Sequence, residues 1–140
     1  MPHKTVRKTV FISYRHEDGW IAWAVYSWLV GHGYTVFMDH QGLNSGAFDA
    51  NLLRQIAEHD HFVLLLTPDA LKRCIEPGDW VRREIERALE TKRNIVPLLF
   101  NDFEWSKAIP YLTGPLSVLR LYNSLPVRKE SLPLAMGTLM

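Results

Sequence analysis

At 140 residues, 47% apolar and 22% charged, the chain fits one soluble globular domain able to bury a real core, and leaves little for a second. A formal charge of +1 excludes partners recruited by bulk electrostatics, so neither nucleic acid nor a membrane surface is expected. The lone cysteine, Cys74, excludes an internal disulfide and fits a reducing compartment.

The basic, polar stretch over residues 1–8 reads as a flexible segment ahead of a domain over 9–140. The apolar run that follows, Val10-Phe11-Ile12, is too short for a signal-peptide core. No stretch approaches the roughly 18 apolar residues that span a bilayer, so the expected location is cytoplasmic. Five short runs rich in Val, Ile, Leu and Phe then recur: Thr9–Ser13, Tyr34–Met38, His61–Thr67, Asn94–Phe100 and Val118–Tyr122. They lack clean polar alternation, as strands covered on both faces do. Between them lie segments of helical period. Gly19–Val30 carries Ile21, Ala24, Val25, Trp28 and Leu29 on one stripe and stops at Gly31 and Gly33. Ala47–Glu58 gathers Leu52, Leu53 and Ile56. Asp79–Thr91 aligns Trp80, Glu84 and Ala88 beside Val81, Ile85 and Leu89, with Asp79 placed to cap it. Leu132–Leu139 is expected to open a final helix.

Strand and helix alternating four or five times predicts an α/β fold: an open, flavodoxin-like five-stranded parallel sheet with helices on both faces. Ligands of such sheets bind outside the carboxyl ends of the strands, where strand order reverses. Those ends are Ser13-Tyr14-Arg15, Phe37-Met38-Asp39 and Thr67-Pro68. An Arg at the first exit suits phosphate oxygens; the structural alternative is pairing of Arg15 with Glu17 or Asp18. Asp18 is better placed to cap the following helix, and Asp39 either orients its loop or faces ligand. Trp80 and Glu84, four apart on one helix, set an aromatic wall beside a carboxylate. Arg82, Arg83, Glu86, Arg87 and Glu90 read as a solvated helix face. The six histidines show no ligand spacing, so no metal site is expected. Cys74 reads as a small structural residue.

In order along the chain, Val10-Phe11-Ile12-Ser13-Tyr14-Arg15, then Phe37-Met38-Asp39 with Gly42-Leu43-Asn44-Ser45-Gly46-Ala47-Phe48, then Trp80-Val81-Arg82-Arg83-Glu84, then Asn94-Ile95-Val96-Pro97-Leu98-Leu99 with Phe103-Glu104-Trp105, resemble the boxes of TIR domains. The resemblance covers residues 9 to about 125 and is strongest to the NAD+-consuming branch, which includes bacterial anti-phage effectors and an animal axon-degeneration hydrolase. Receiver domains share the topology but need an Asp at the third strand's end, where this chain has Leu65-Leu66-Thr67-Pro68. No Gly-rich dinucleotide loop follows the first strand.

The resemblance implies cleavage of the nicotinamide–ribose bond of NAD+, with NAD+ as substrate and no cofactor. Glu84 falls on the catalytic position; Ser13, Tyr14, Arg15, Phe37, Asp39, Leu43, Phe48 and Trp80 are expected around the substrate. Gly42 departs from the animal hydrolase, which carries a Lys there; if that Lys assists phosphate binding or assembly, its loss lowers the expected rate but not the chemistry. The resemblance further implies activation by TIR–TIR stacking, with the BB loop at residues 40–48 completing a neighbour's site, in an immune or cell-death effector. The alternative function is a non-catalytic adaptor binding other TIR domains. A third, weaker reading is a nucleoside glycosyl-transferring enzyme. Glu84 is expected to be half-exposed, so that Glu84→Ala leaves the fold intact.

Overall fold

The structure is a computed structural model that describes residues 8–38 and 46–127, the side chains of 46–49 excepted. Expectations for Asp39, Gly42, Leu43, the Phe48 side chain and the Leu132–Leu139 helix lie outside the described residues. The elements run β1 (Thr9–Ser13), α1 (Gly19–Gly31), β2 (Thr35–Met38), α2 (Gly46–Glu58), β3 (His61–Leu66), α3 (Trp80–Glu90), β4 (Asn94–Phe100), a short α4 (Trp105–Ala108) and β5 (Leu125–Val127). All neighbouring strands pair in parallel, in the order β2-β1-β3-β4-β5. This is the doubly wound order in which strand succession reverses between β1 and β3.

Strand parity divides the core in two. Phe11, Phe62, Leu64, Leu66 and Ile95 point to one face, where Ile56 of α2 and Val81, Ile85 and Ala88 of α3 meet them. Val10, Ile12, Val63, Leu65, Val96 and Leu98 point to the other, covered by Ile21, Ala22, Val25 and Leu29 of α1. Successive residues of β1, β3 and β4 are thus apolar because each strand is packed on both sides. Phe11 anchors the first face, with its ring 5.4 Å from Phe37 and 5.7 Å from Phe62.

The fifth strand departs from expectation. Residues 114–121 form 3-10 turns instead, and the strand is Leu125–Val127. Leu116 and Leu119, three apart, are both fully buried, whereas Val118 and Leu121 are exposed. That spacing fits a three-residue turn, and Pro115 favours a helical start. The true strand contains Pro126, which only an edge strand accepts without losing a ladder bond.

Candidate functional site

The site is built from the exit of β1 and the first two turns of α3. Ser13 shares the parity of Phe11, so its side chain faces α3. On α3, Glu84 follows Val81 by three residues and precedes Ile85 and Ala88, and so falls on the helix's buried stripe. The two meet: Ser13 Oγ donates to Glu84 Oε1 at 2.7 Å, and both residues have 0% exposure. Glu84 is therefore fully buried where a half-exposed residue was expected. The apolar stripe of which it is a member, readable in the sequence, is the physical reason.

Trp80 is half-buried one turn earlier, and the Arg83 guanidinium lies 4.6 Å from the centroid of its ring. Tyr14 is buried in the α1-side core, and Phe37 is half-buried against Phe11, with His59 tilted 6.0 Å away. The structure thus brings Ser13, Glu84 and Trp80 onto one helix and strand, and places Tyr14 on the opposite face of the sheet.

Arg15 lies two residues beyond β1, still extended, and is only 6% exposed. Its guanidinium grips Asp79 fork to fork, with Nη1 to Oδ1 at 2.7 Å and Nη2 to Oδ2 at 2.9 Å, while Nε donates to the Ala70 carbonyl at 2.6 Å. The partner is therefore neither Glu17 nor Asp18. Glu17 pairs with Arg73. Asp18 stands at the start of α1 without a side-chain cap bond and instead accepts from Thr67 Oγ1 at 2.7 Å. A 3-10 turn over His16–Asp18 leaves Asp18 outside the extended conformation that an N-cap needs.

Asp79 caps α3 as expected, accepting the Arg82 backbone N–H at 3.0 Å. Burial by itself raises the Asp79 carboxyl, but the Arg15 hydrogen bond, the Arg82 amide and the Arg15 charge outweigh it and hold it below the usual carboxylate value. A depressed folded value means that this group's stabilisation is fully present above its unfolded value, about 3.9, and is lost as pH falls through the folded one. Acid melts of Asp79→Asn beside wild type test this. Wild-type Tm is expected to drop more steeply below about pH 4 than that of the variant, and parallel curves would refute it. Cys74, fully buried, lies against the same pair, 3.4 Å from Arg15 Nη2 and 3.5 Å from Asp79 Oδ2. Burial foremost, with Asp79, pushes its thiol up to about 12 against the pull of Arg15 and Arg82, in keeping with an inert structural residue.

Arg82 departs from the solvated face expected for it. It is buried, and its guanidinium donates to the Cys74 carbonyl, Thr113 Oγ1, the Thr113 carbonyl and Glu86 at 2.7, 2.7, 3.1 and 2.9 Å. Its neighbours Arg83, Glu86 and Arg87 are partly exposed and Glu90 exposed, so the solvated face begins one residue later.

Two of the clefts among the described residues bear on the site. One, of about 600 Å³, lies outside the carboxyl ends of β1, β3 and β4 and is lined by Arg15, Asp18, Thr67, Asp69, Arg73 and Asn101. The other, of about 410 Å³, runs between α2 and α3 along Leu53, Arg54, Arg83, Arg87 and Glu90. Glu84 lines neither of these two. No group of three potential metal ligands occurs among the described residues, and no described helix is long and apolar enough to cross a membrane.

A five-stranded parallel sheet in this order, with a buried carboxylate delivered by α3 to the exit of β1, defines a flavodoxin-like α/β domain. The TIR domain family profile matches residues 10–131, and the chain belongs to that family. It is 44% identical over 100 residues to NAD(+) hydrolase sarm1 of Drosophila melanogaster, covering 69% of this chain and 7% of the relative. It is 36% identical over 118 residues to NAD(+) hydrolase tir-1 of Caenorhabditis elegans, covering 81% of this chain and 12% of the relative. The chain thus spans only a small part of the curated relatives it matches. Among solved structures, the TIR domains of the activated Roq1 resistosome, which recognizes the pathogen effector XopQ, superpose with a TM-score of 0.68 over 95% of this chain and 99% of theirs. At 15% identity, that likeness speaks to the fold alone.

Proposed function

We propose that the domain cleaves the nicotinamide–ribose bond of NAD+, with Glu84 as the catalytic carboxylate. The observation that carries this reading is a buried carboxylate, oriented by Ser13, on the helix that also bears Trp80, in a chain 36% and 44% identical to two proteins named NAD(+) hydrolases. Nicotinamide leaves as a neutral base from a pyridinium, so the departure needs no strong acid. Positive charge develops at the ribose anomeric carbon, as in glycoside hydrolysis. A carboxylate in a site of low dielectric stabilises that charge far better than one in water. Water then adds to the anomeric carbon and loses its proton, giving ADP-ribose; capture by a nitrogen of the adenine instead gives a cyclic isomer.

Within this reading Ser13 holds Glu84, Trp80 supplies an aromatic wall, and Phe37, Asp39, Leu43 and Phe48 surround the substrate, whereas Tyr14, in the core on the opposite face of the sheet, and Arg15, committed to Asp79, do not contact it. A carboxylate with no exposure meets substrate only after a rearrangement uncovers it. That supports activation by stacking of TIR domains, with the 40–48 loop of one copy completing the next, and a dilute monomer that is inactive. It also fits a cytoplasmic immune or cell-death effector, anti-phage defence included, which keeps its activity silent until assembly. The test is NAD+ consumption followed by chromatography, with the protein clustered on beads. Nicotinamide release is expected only when it is clustered, and the second product separates hydrolase from cyclase. No release under clustering would overturn the enzyme reading in favour of an adaptor.

A further inference from the structure

Period-two geometry puts Phe11, Ser13 and then Arg15 on the α3 side of the sheet. Phe11 enters the core, whereas Ser13 and Arg15 each grip α3, at Glu84 and Asp79. The two grips are two residues apart on the extended chain, about 6.6 Å. Asp79, the N-cap of α3, and Glu84 are five residues apart, about 7.5 Å of axial rise. These axial spans are similar, so both contacts form together in one axial setting of α3, and sliding the helix along the sheet strains them.

We propose that Arg15 and Asp79 are positioning residues, whose buried ion pair fixes the register of α3 against β1 and thereby the place of the Glu84 carboxylate. This rests on the reading of Glu84 as catalytic. Capping alone does not account for the pair. The Arg82 amide needs only one acceptor oxygen, which Asn or Ser provides as well as Asp. What Asp adds is the second oxygen and the charge, and both are taken up by Arg15. A buried ion pair is a weak source of net stability compared with apolar packing, and its best-attested use is to select one register among several. The bond from Arg15 Nε to the Ala70 carbonyl fixes the guanidinium plane from a third side, after β3, so the fork cannot follow the helix if it moves. Arg15 thus ties the exits of β1 and β3 to the first turn of α3.

The experiment measures nicotinamide release by clustered protein, with kcat and KM separated, for wild type, Asp79→Asn, the double variant Arg15→Gln with Asp79→Asn, and Glu84→Gln. Thermal melts accompany each. Asp79→Asn keeps the cap but leaves Arg15 buried and uncompensated, so its Tm falls. The double variant removes both charges, and its Tm recovers toward wild type. Positioning predicts that kcat stays at least tenfold down in both, with KM within about threefold of wild type, since a small misplacement of the reacting group costs rate before binding. Recovery of kcat together with Tm in the double variant would show a purely structural pair and overturn the proposal. So would wild-type kcat in Asp79→Asn. Should the single variant fail to fold, the double variant decides. Silence of the wild type, or turnover by Glu84→Gln equal to wild type, overturns the catalytic reading and the proposal with it. That result is distinct from failure of the pair alone, in which wild type turns over, Glu84→Gln does not, and the pair variants match wild type.

Discussion

Nicotinamide release by clustered Glu84→Gln protein is expected to fall roughly 10²–10⁴-fold below wild type, the range associated with loss of a positioned acid–base or charge-stabilising group. KM is expected to change little, because in the proposed reaction the carboxylate acts on charge that appears only in the transition state. Gln is a better choice than Ala for this site. Glu84 has no exposure, and its Oε1 accepts the Ser13 hydroxyl at 2.7 Å. Gln keeps the volume and an oxygen acceptor for Ser13, at a cost of about 1 kcal/mol. Ala leaves a cavity and an orphaned buried hydroxyl, together roughly 2–4 kcal/mol, so a dead Ala variant is open to a stability explanation. The measurement is therefore kcat for Glu84→Gln at matched thermal stability. A value within threefold of wild type would remove Glu84 from the chemistry.

The contact between Ser13 and Glu84 was legible in part. Strand parity sends Ser13 to the same side as Phe11, and helical period sends Glu84 to the same side as Val81, Ile85 and Ala88. Both rules are local and send each side chain to a buried face; the topology that sets α3 against the exit of β1 supplies the pairing. Four of five strands were legible for a related reason: β1, β3 and β4 are dense in apolar residues because both of their faces are covered, and the edge strand β2 is partly buried against both cores through Val36, Phe37 and Met38. β5 was not. It is three residues long, holds Pro126 and lies at the sheet edge, so its place is fixed by pairing with Leu98, Leu99 and Phe100 rather than by its own composition. The apolar run just before it is a 3-10 segment whose Leu116 and Leu119 fill the α3-side core.

Arg15 and Arg82 show where local rules stop. Arg15 was expected to meet either phosphate oxygens or Glu17 or Asp18, and Arg82 to lie on a solvated face; each is buried because distant chain comes to it: Asp79 and Ala70 for Arg15, Thr113 and Cys74 for Arg82. No spacing in the sequence ties residue 82 to residue 113. Only the crossover from β4 through α4 brings Thr113 and Gly114 against the helix.

Arg82→Met is accordingly expected to destabilise the domain by roughly 3 kcal/mol, the scale for removing one member of a buried charged network. For a domain of this size that lowers Tm by roughly 6–12 °C. Met retains most of the apolar stem volume, so the loss reports the guanidinium rather than a cavity. Without it, the Cys74 carbonyl and the Thr113 carbonyl and hydroxyl lose their charged donor together. Arg82→Lys is expected to fall between, since an ammonium cannot make the forked contacts to Cys74, Thr113 and Glu86 at once. A double-mutant cycle with Thr113→Val isolates the pair, and a coupling of about 1 kcal/mol or more is expected from contacts this close. Additive losses, or a Tm within about 2 °C of wild type for Arg82→Met, would mean that Arg82 is solvated in solution, as its sequence neighbourhood suggests. The size of this effect also bears on the site, because Arg82 lies between Trp80 and Glu84 and anchors the outer side of the same two turns that Arg15 and Ser13 hold from the sheet. With both sides secured, α3 presents its carboxylate in one place. Loosening the outer anchor should therefore depress stability and kcat together, whereas the inner pair, as proposed, should act on kcat even where stability is restored.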